Sequence, residues 1–247
     1  MTVTGKDLRP ARILWLDLAR AVAVLGMVIY HFTFDLGMFG FIAPDTAVTG
    51  FWAVFARAVA GSFVALAGFS LVLSHGQVRG RGIVWPAFWR RLGVVAGAAL
   101  LITVATWLAM PGQFIFFGIL HSIALSSLLG LAFLRLPWRM TLGVAAVFLV
   151  VPQVYRDVAF DTPWLAWVGL APGFPPTMDY EPLFPWFGAF LLGMAAAQAM
   201  VLRGALVRAV PSPLMARLSW PGRHSLMIYL LHQPILIGLF NLYFWLR

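Results

Sequence analysis

The stretch ILWLDLARAVAVLGMVIYHFTFD, residues 13–35, decides the fold. From Ile13 to Phe34 it is apolar apart from Asp17, Arg20 and His31, and it has the roughly 20 residues a helix needs to cross a bilayer. Arg20 and His31 are eleven residues apart. At about 100° per residue, eleven steps return a helix to nearly the same bearing, so both side chains share one face. Asp17 and Asp35 fall on that face too. Charge at bilayer depth costs on the order of several kcal/mol, so such a stripe lines a cavity, carries chemistry or pairs internally.

Asp17 and Arg20, three apart, can pair along the helix. His31 and Asp35, four apart, allow the carboxylate to hold one imidazole nitrogen and leave the other free, which orients a general base. His31 stands about 16 Å beyond Arg20 along the axis. A stripe of this kind suits passage of a cytosolic group to an external acceptor. The alternative is a set of ion pairs that only fixes helix packing.

Composition agrees with the membrane reading. The 247 residues are 62% hydrophobic and 10% charged, where a soluble domain carries about 25% charged residues. No polar segment is long enough for a soluble domain, so residues 1–247 read as one membrane domain. The net charge of +9 fits cationic loops better than nucleic-acid binding. Cysteine is absent, which excludes disulfides, thiolate metal sites and a cysteine nucleophile. The first apolar stretch reads as a retained signal anchor.

The fold class is all-α: a polytopic bundle with seven spans near 13–34, 51–74, 84–109, 114–134, 139–155, 183–202 and 223–246. No internal repeat is evident. Basic and non-basic loops alternate. Lys6, Arg9 and Arg12 precede the first span, Arg79 and Arg81 with Arg90 and Arg91 follow the second, Arg135 and Arg139 flank the fourth turn, and Arg203, Arg208, Arg217 and Arg223 precede the last span. The positive-inside rule then predicts a cytoplasmic N-terminus and an external C-terminus, in a bacterial cytoplasmic (inner) membrane. The proline- and tryptophan-bearing loop 156–182 reads as an outer cap or a re-entrant segment, not an eighth span.

Other ionisable residues are candidates for binding. Arg57 in the second span can pair with Asp35 or the acidic loop, or snorkel. Gly61, Ser62, Ala65, Gly68 and Ser70 form a small-residue packing face that also leaves room for a ligand. His121 and His232 are either cavity-lining or hydrogen-bonded core residues. His75 and His224 read as interfacial or capping. Asp179 and Glu181 stand at the outer mouth as an acid–base pair or as ordinary loop residues. The internal arginines, Arg90 and Arg91 among them, suit phosphates of a nucleotide-like ligand, or simply obey the topology rule. No phosphate loop and no metal-binding pattern is present. A haem-ligating pair of histidines suits Asp35 and Arg20 poorly.

Several stretches together resemble the catalytic-domain family of heparan-alpha-glucosaminide N-acetyltransferase, as found in bacteria. They are Trp15-Leu16-Asp17-Leu18-Ala19-Arg20 with Tyr30-His31-Phe32, Leu66-Ala67-Gly68-Phe69-Ser70, Phe117-Gly118-Ile119-Leu120-His121, the run from Asp179 to Trp186, and the run from Gly222 to Pro234. The spacing of Arg20 and His31 is also similar to that of transmembrane acyltransferases that modify surface polysaccharides. The resemblance implies acetyl transfer from cytosolic acetyl-CoA to a sugar or amino sugar beyond the membrane. It makes His31 the catalytic base or transient acyl carrier, supported by Asp35, and puts Arg20 at the donor. Around these, Asp17, Arg90 and Arg91 are expected on the donor side, and Arg57, His121, Asp179, Glu181 and His232 on the acceptor side. Acyl-CoA, a glycan acceptor and the bilayer are the expected partners, with no metal; a homodimer is left open. The alternatives are a proton-coupled transporter or flippase, and a non-catalytic membrane subunit.

Overall fold

The computed structural model describes residues 13–75, 83–173, 175–206 and 210–247. Lys6, Arg9, Arg12, Arg79, Arg81 and Arg208 of the charge pattern lie outside the described residues. Nine helices follow one another among them: α1 Leu14–Met38, α2 Gly50–His75, α3 Trp85–Ala109, α4 Ile119–Gly130, α5 Trp138–Val154, α6 Leu183–Leu202, α7 Pro213–Leu218, α8 Trp220–Arg223 and α9 Ser225–Trp245. Five of them, α1, α2, α3, α6 and α9, are long and apolar enough to cross a membrane, and α4 and α5 are shorter apolar helices. The chain is an all-α polytopic membrane protein.

Three boundaries differ from the sequence reading. α1 runs to Met38, so Asp35 lies inside the helix and not in the loop after it. The fourth helix starts only at Ile119, because residues 113–118 are non-helical and pair with the long loop. The last span is preceded by the short helices α7 and α8, where Pro213 and Pro221 sit in the first turn, the position a helix tolerates best.

The chain divides into two compact units, residues 1–59 with 205–247 and residues 60–204. In the first, α1 has two faces. Val22, Leu25, Ile29 and Phe32 are exposed, while Leu16, Asp17, Val24, Met27 and Asp35 are buried. α8 meets α1 backbone to backbone at Gly222, where an added Cβ would lie 1.9 Å from the Asp17 carbonyl oxygen. Further along, Phe32 and Phe39 of α1 and its end stack on Phe240 of α9, with ring centroids 5.8 and 4.7 Å apart. Such stacks add on the order of 1 kcal/mol beyond the area they bury.

In the second unit α6 is central: Phe187, Phe190, Leu191, Met194 and Ala197 are all buried. α5 packs along it, and Gly188 lets the Ala145 carbonyl and Leu149 come close. α2 crosses α6 at glycines on both sides. A Cβ on Gly68 would lie 2.1 Å from the Phe190 carbonyl oxygen, and one on Gly193 would lie 1.8 Å from that of Ala65. The small-residue face of α2 is therefore a packing face, as the sequence predicts. Lipid gives helices no hydrophobic reason to associate, so close backbone approach supplies the dispersion contact instead.

Among its described residues the long loop carries two single 3-10 turns, Val158–Phe160 and Ala166–Val168, and no further apolar span. Arg156 donates to the carbonyls of Pro152 and Ala171, at 3.1 and 3.3 Å. The Tyr180 hydroxyl donates to the Ala166 carbonyl, and burial pushes that phenol above its ordinary range, so it stays a donor. The loop pairs with residues 113–117 through backbone bonds from Met178 to Gln113 and from Glu181 to Phe117, both 3.1 Å.

Gly193→Leu is expected to lower the thermal unfolding midpoint in detergent by several degrees, because backbone would have to separate. Gly97→Leu, with open space at its Cβ, is the control and should leave the midpoint unchanged.

Candidate active site

The first unit gathers His31 and Asp35 of α1 with His232 and Gln233 of α9. The His31 and His232 rings meet edge to face, with centroids 4.7 Å apart. Asp35 is fully buried, at 0% exposure. Its Oδ1 accepts a hydrogen bond from Gln233 Nε2 at 2.7 Å. The predicted pairing of Asp35 with His31 is not made: the carboxylate is held by an amide from another helix. The physical reason is competition. In an apolar interior the amide N–H donor needs an acceptor, and the carboxylate is the strongest one within its reach.

His232 is oriented differently. Its Nδ1 lies 2.7 Å from the Tyr229 carbonyl oxygen. A carbonyl only accepts, so Nδ1 carries the hydrogen. Three buried polar atoms of the cluster have no hydrogen-bond partner among the described residues: Asp35 Oδ2, His232 Nε2 and Gln233 Oε1. Each such atom costs on the order of 1–3 kcal/mol if left dry, and buried polar groups in native proteins are nearly always satisfied. In this cluster that points to a ligand or water.

The N-terminal end of the stripe forms as predicted. Arg20 donates to Asp17 Oδ1 at 3.2 Å. Arg57 is exposed on α2 and does not pair with Asp35. Arg90 is exposed and Arg91 half-buried near the start of α3, in the second unit.

His121, Asp179 and Glu181 also belong to the second unit. Asp179 Oδ2 accepts from the backbone N–H of Ile119 at 3.0 Å, at the first turn of α4. Gly118, the cap residue, has no side chain to do this, and a Cβ there would lie 2.2 Å from Asp179 Oδ2. Asp179 thus caps α4 from sixty residues away in sequence. His121 supplies the other half of the cap, its Nδ1 accepting from Gly118 N–H at 3.2 Å. Its Nε2 then carries the hydrogen and lies 3.1 Å from Thr103 Oγ1, which donates to the Ile115 carbonyl. Both ring nitrogens of His121 are engaged in holding the 113–119 segment. Glu181 is half-buried, and its backbone joins the pairing with Phe117. Of the end histidines, His224 donates from Nδ1 to the Trp220 carbonyl and stacks on that indole, and His75 packs on Phe88. Among the described residues, no group of three metal-ligating side chains converges.

Over residues 12–234 the chain matches the family described as heparan-alpha-glucosaminide N-acetyltransferase, catalytic. The chain belongs to that family. The matched stretch contains all four residues of the His31 cluster, the Asp17–Arg20 pair and the α4 cap. Neither the curated proteins nor the solved structures gave a match. Membership makes this a membrane protein of an N-acetyltransferase family, one that in general uses acetyl-CoA as donor.

Gln233 is the residue that sequence reasoning passed over. The signal was available, since an amide in an apolar span needs a partner, but nothing in the sequence names Asp35 as that partner.

Gln233→Leu is expected to destabilise the protein by about 1–3 kcal/mol, since Asp35 loses its donor. Adding Asp35→Leu should recover most of that loss. Unfolding in detergent, run as a double-mutant cycle, measures the coupling.

Proposed function

We propose that the protein is a membrane acetyltransferase moving an acetyl group from cytosolic acetyl-CoA to an extracytoplasmic sugar or amino sugar. It would reside in a bacterial cytoplasmic membrane with its N-terminus inside. The observation that carries this reading, beside the family, is the His31–His232–Asp35–Gln233 cluster with its three unpartnered acceptors. A ligand that satisfies acceptors must donate hydrogens, and a sugar hydroxyl or amine does so. The same group is the nucleophile of acyl transfer, which needs an imidazole to take its proton.

His31 and Asp35 stand at the reacting centre in this reading, His31 as base or transient acyl carrier. Arg20, steadied by Asp17, serves the donor. The donor's thioester is the activated bond; the protein's share is placement and proton handling. The unpartnered acceptors also suit a transported proton or cation, the one observation that favours a transporter instead.

Purified protein in detergent is expected to bind acetyl-CoA saturably, with affinity lost in Arg20→Ala. Radiolabel from acetyl-CoA should pass to glucosamine. His31→Ala should reduce that transfer at least ~10²-fold while the protein stays folded. Absence of donor binding by folded wild type, together with solute flux into proteoliposomes without any acyl-CoA, would replace this reading by the transporter.

A further inference from the structure

We infer that His232, and not His31, takes the acceptor's proton. The inference rests on the acetyltransferase reading for the reaction, but its structural premise stands on geometry alone. A general base needs one ring nitrogen fixed by a hydrogen bond and the other bare and aimed at the reacting group. His232 meets both conditions. Nδ1 donates to the Tyr229 carbonyl at 2.7 Å, within its own helix, so the neutral ring has its lone pair on Nε2. That Nε2 is buried and lacks a hydrogen-bond partner among the described residues, in a side chain only 8% exposed. Among the described residues His31 has no such tether. Its ring packs edge-on against Tyr30 and His232, and the carboxylate one turn on is held by Gln233.

The neighbours of Nε2 suit the task. Asp35 Oδ2 and Gln233 Oε1 are unpartnered acceptors in the same cluster, so an acceptor group donating hydrogens meets several at once. Gln233 has its orientation set by donating to Asp35, which leaves its oxygen to accept.

The step balances without a further reagent. The acceptor's nitrogen or oxygen lone pair forms a bond to the thioester carbonyl carbon. Its proton passes to His232 Nε2. The carbon–sulfur bond then breaks, and the proton leaves with the thiolate as the free thiol. His31 is left to the acyl side of the reaction.

The test uses the full chain in nanodiscs, with nitrogen-labelled histidine and His232→Asn as the assignment reference. An asparagine amide can still donate to the Tyr229 carbonyl, so the local fold is preserved while the base is removed. The His232 ring should be hydrogen-bearing at Nδ1 and bare at Nε2. His232→Asn should lower kcat for transfer from acetyl-CoA to glucosamine at least ~100-fold. Acetyl-CoA affinity and the unfolding midpoint should stay at wild-type values. A hydrogen on Nε2 in place of Nδ1, or wild-type kcat in His232→Asn, overturns the assignment. A folded wild type that neither binds acetyl-CoA nor labels glucosamine overturns the acetyltransferase reading, and the base role with it. An active wild type with an equally active variant overturns the base role alone.

Discussion

The hydrogen bond from Gln233 to Asp35 is the constraint on which the candidate site depends. A carboxylate with no exposure in an apolar helix is expensive, and one amide from α9 is what compensates it. The bond fixes where α9 lies along α1. It thereby brings His232, the residue before Gln233, against His31. It also decides which atoms stay unsatisfied, and those are all acceptors. An interior that leaves only acceptors open selects for ligands that donate hydrogens.

The packing around this bond follows a single rule. Where two helices must approach at backbone distance, one of them offers a glycine. Gly222 does so for α8 on α1, and Gly68 and Gly193 do so between α2 and α6. In water, burial of large apolar side chains would dominate such contacts. In lipid the same side chains are equally content facing outward, and close approach must supply the attraction. The exposed residues Val22, Leu25 and Ile29 of α1 need no protein partner for that reason.

The second unit shows how a polar group near a membrane helix can be structural. His121 and Asp179 have the chemical types of an acid–base pair, yet each commits a side-chain atom to the first turn of α4, and the other ring nitrogen of His121 is engaged with Thr103. A helix that starts at a glycine has no side chain of its own to satisfy its first N–H groups. Asp179 and His121 satisfy two of them. His232 differs because its second nitrogen is not spent.

The sequence by itself determined the membrane class, the number and approximate bounds of the apolar helices, and the polar stripe of α1. These follow from hydropathy and from helical periodicity, which act along a single segment. The pairing of Asp17 with Arg20 was legible for the same reason, since three residues apart on a helix means neighbours. The family was legible from five separated stretches. What the tertiary structure alone decided is who satisfies whom. His31 and Asp35 are four apart and equally suited to pair, but Gln233, 198 residues away, takes the carboxylate. The assignment of His121 and Asp179 to a cap, and of the bare nitrogen to His232, was likewise out of reach. Buried hydrogen bonds are settled by competition among every donor and acceptor that packing brings within 3 Å or so. No local pattern records the competitors.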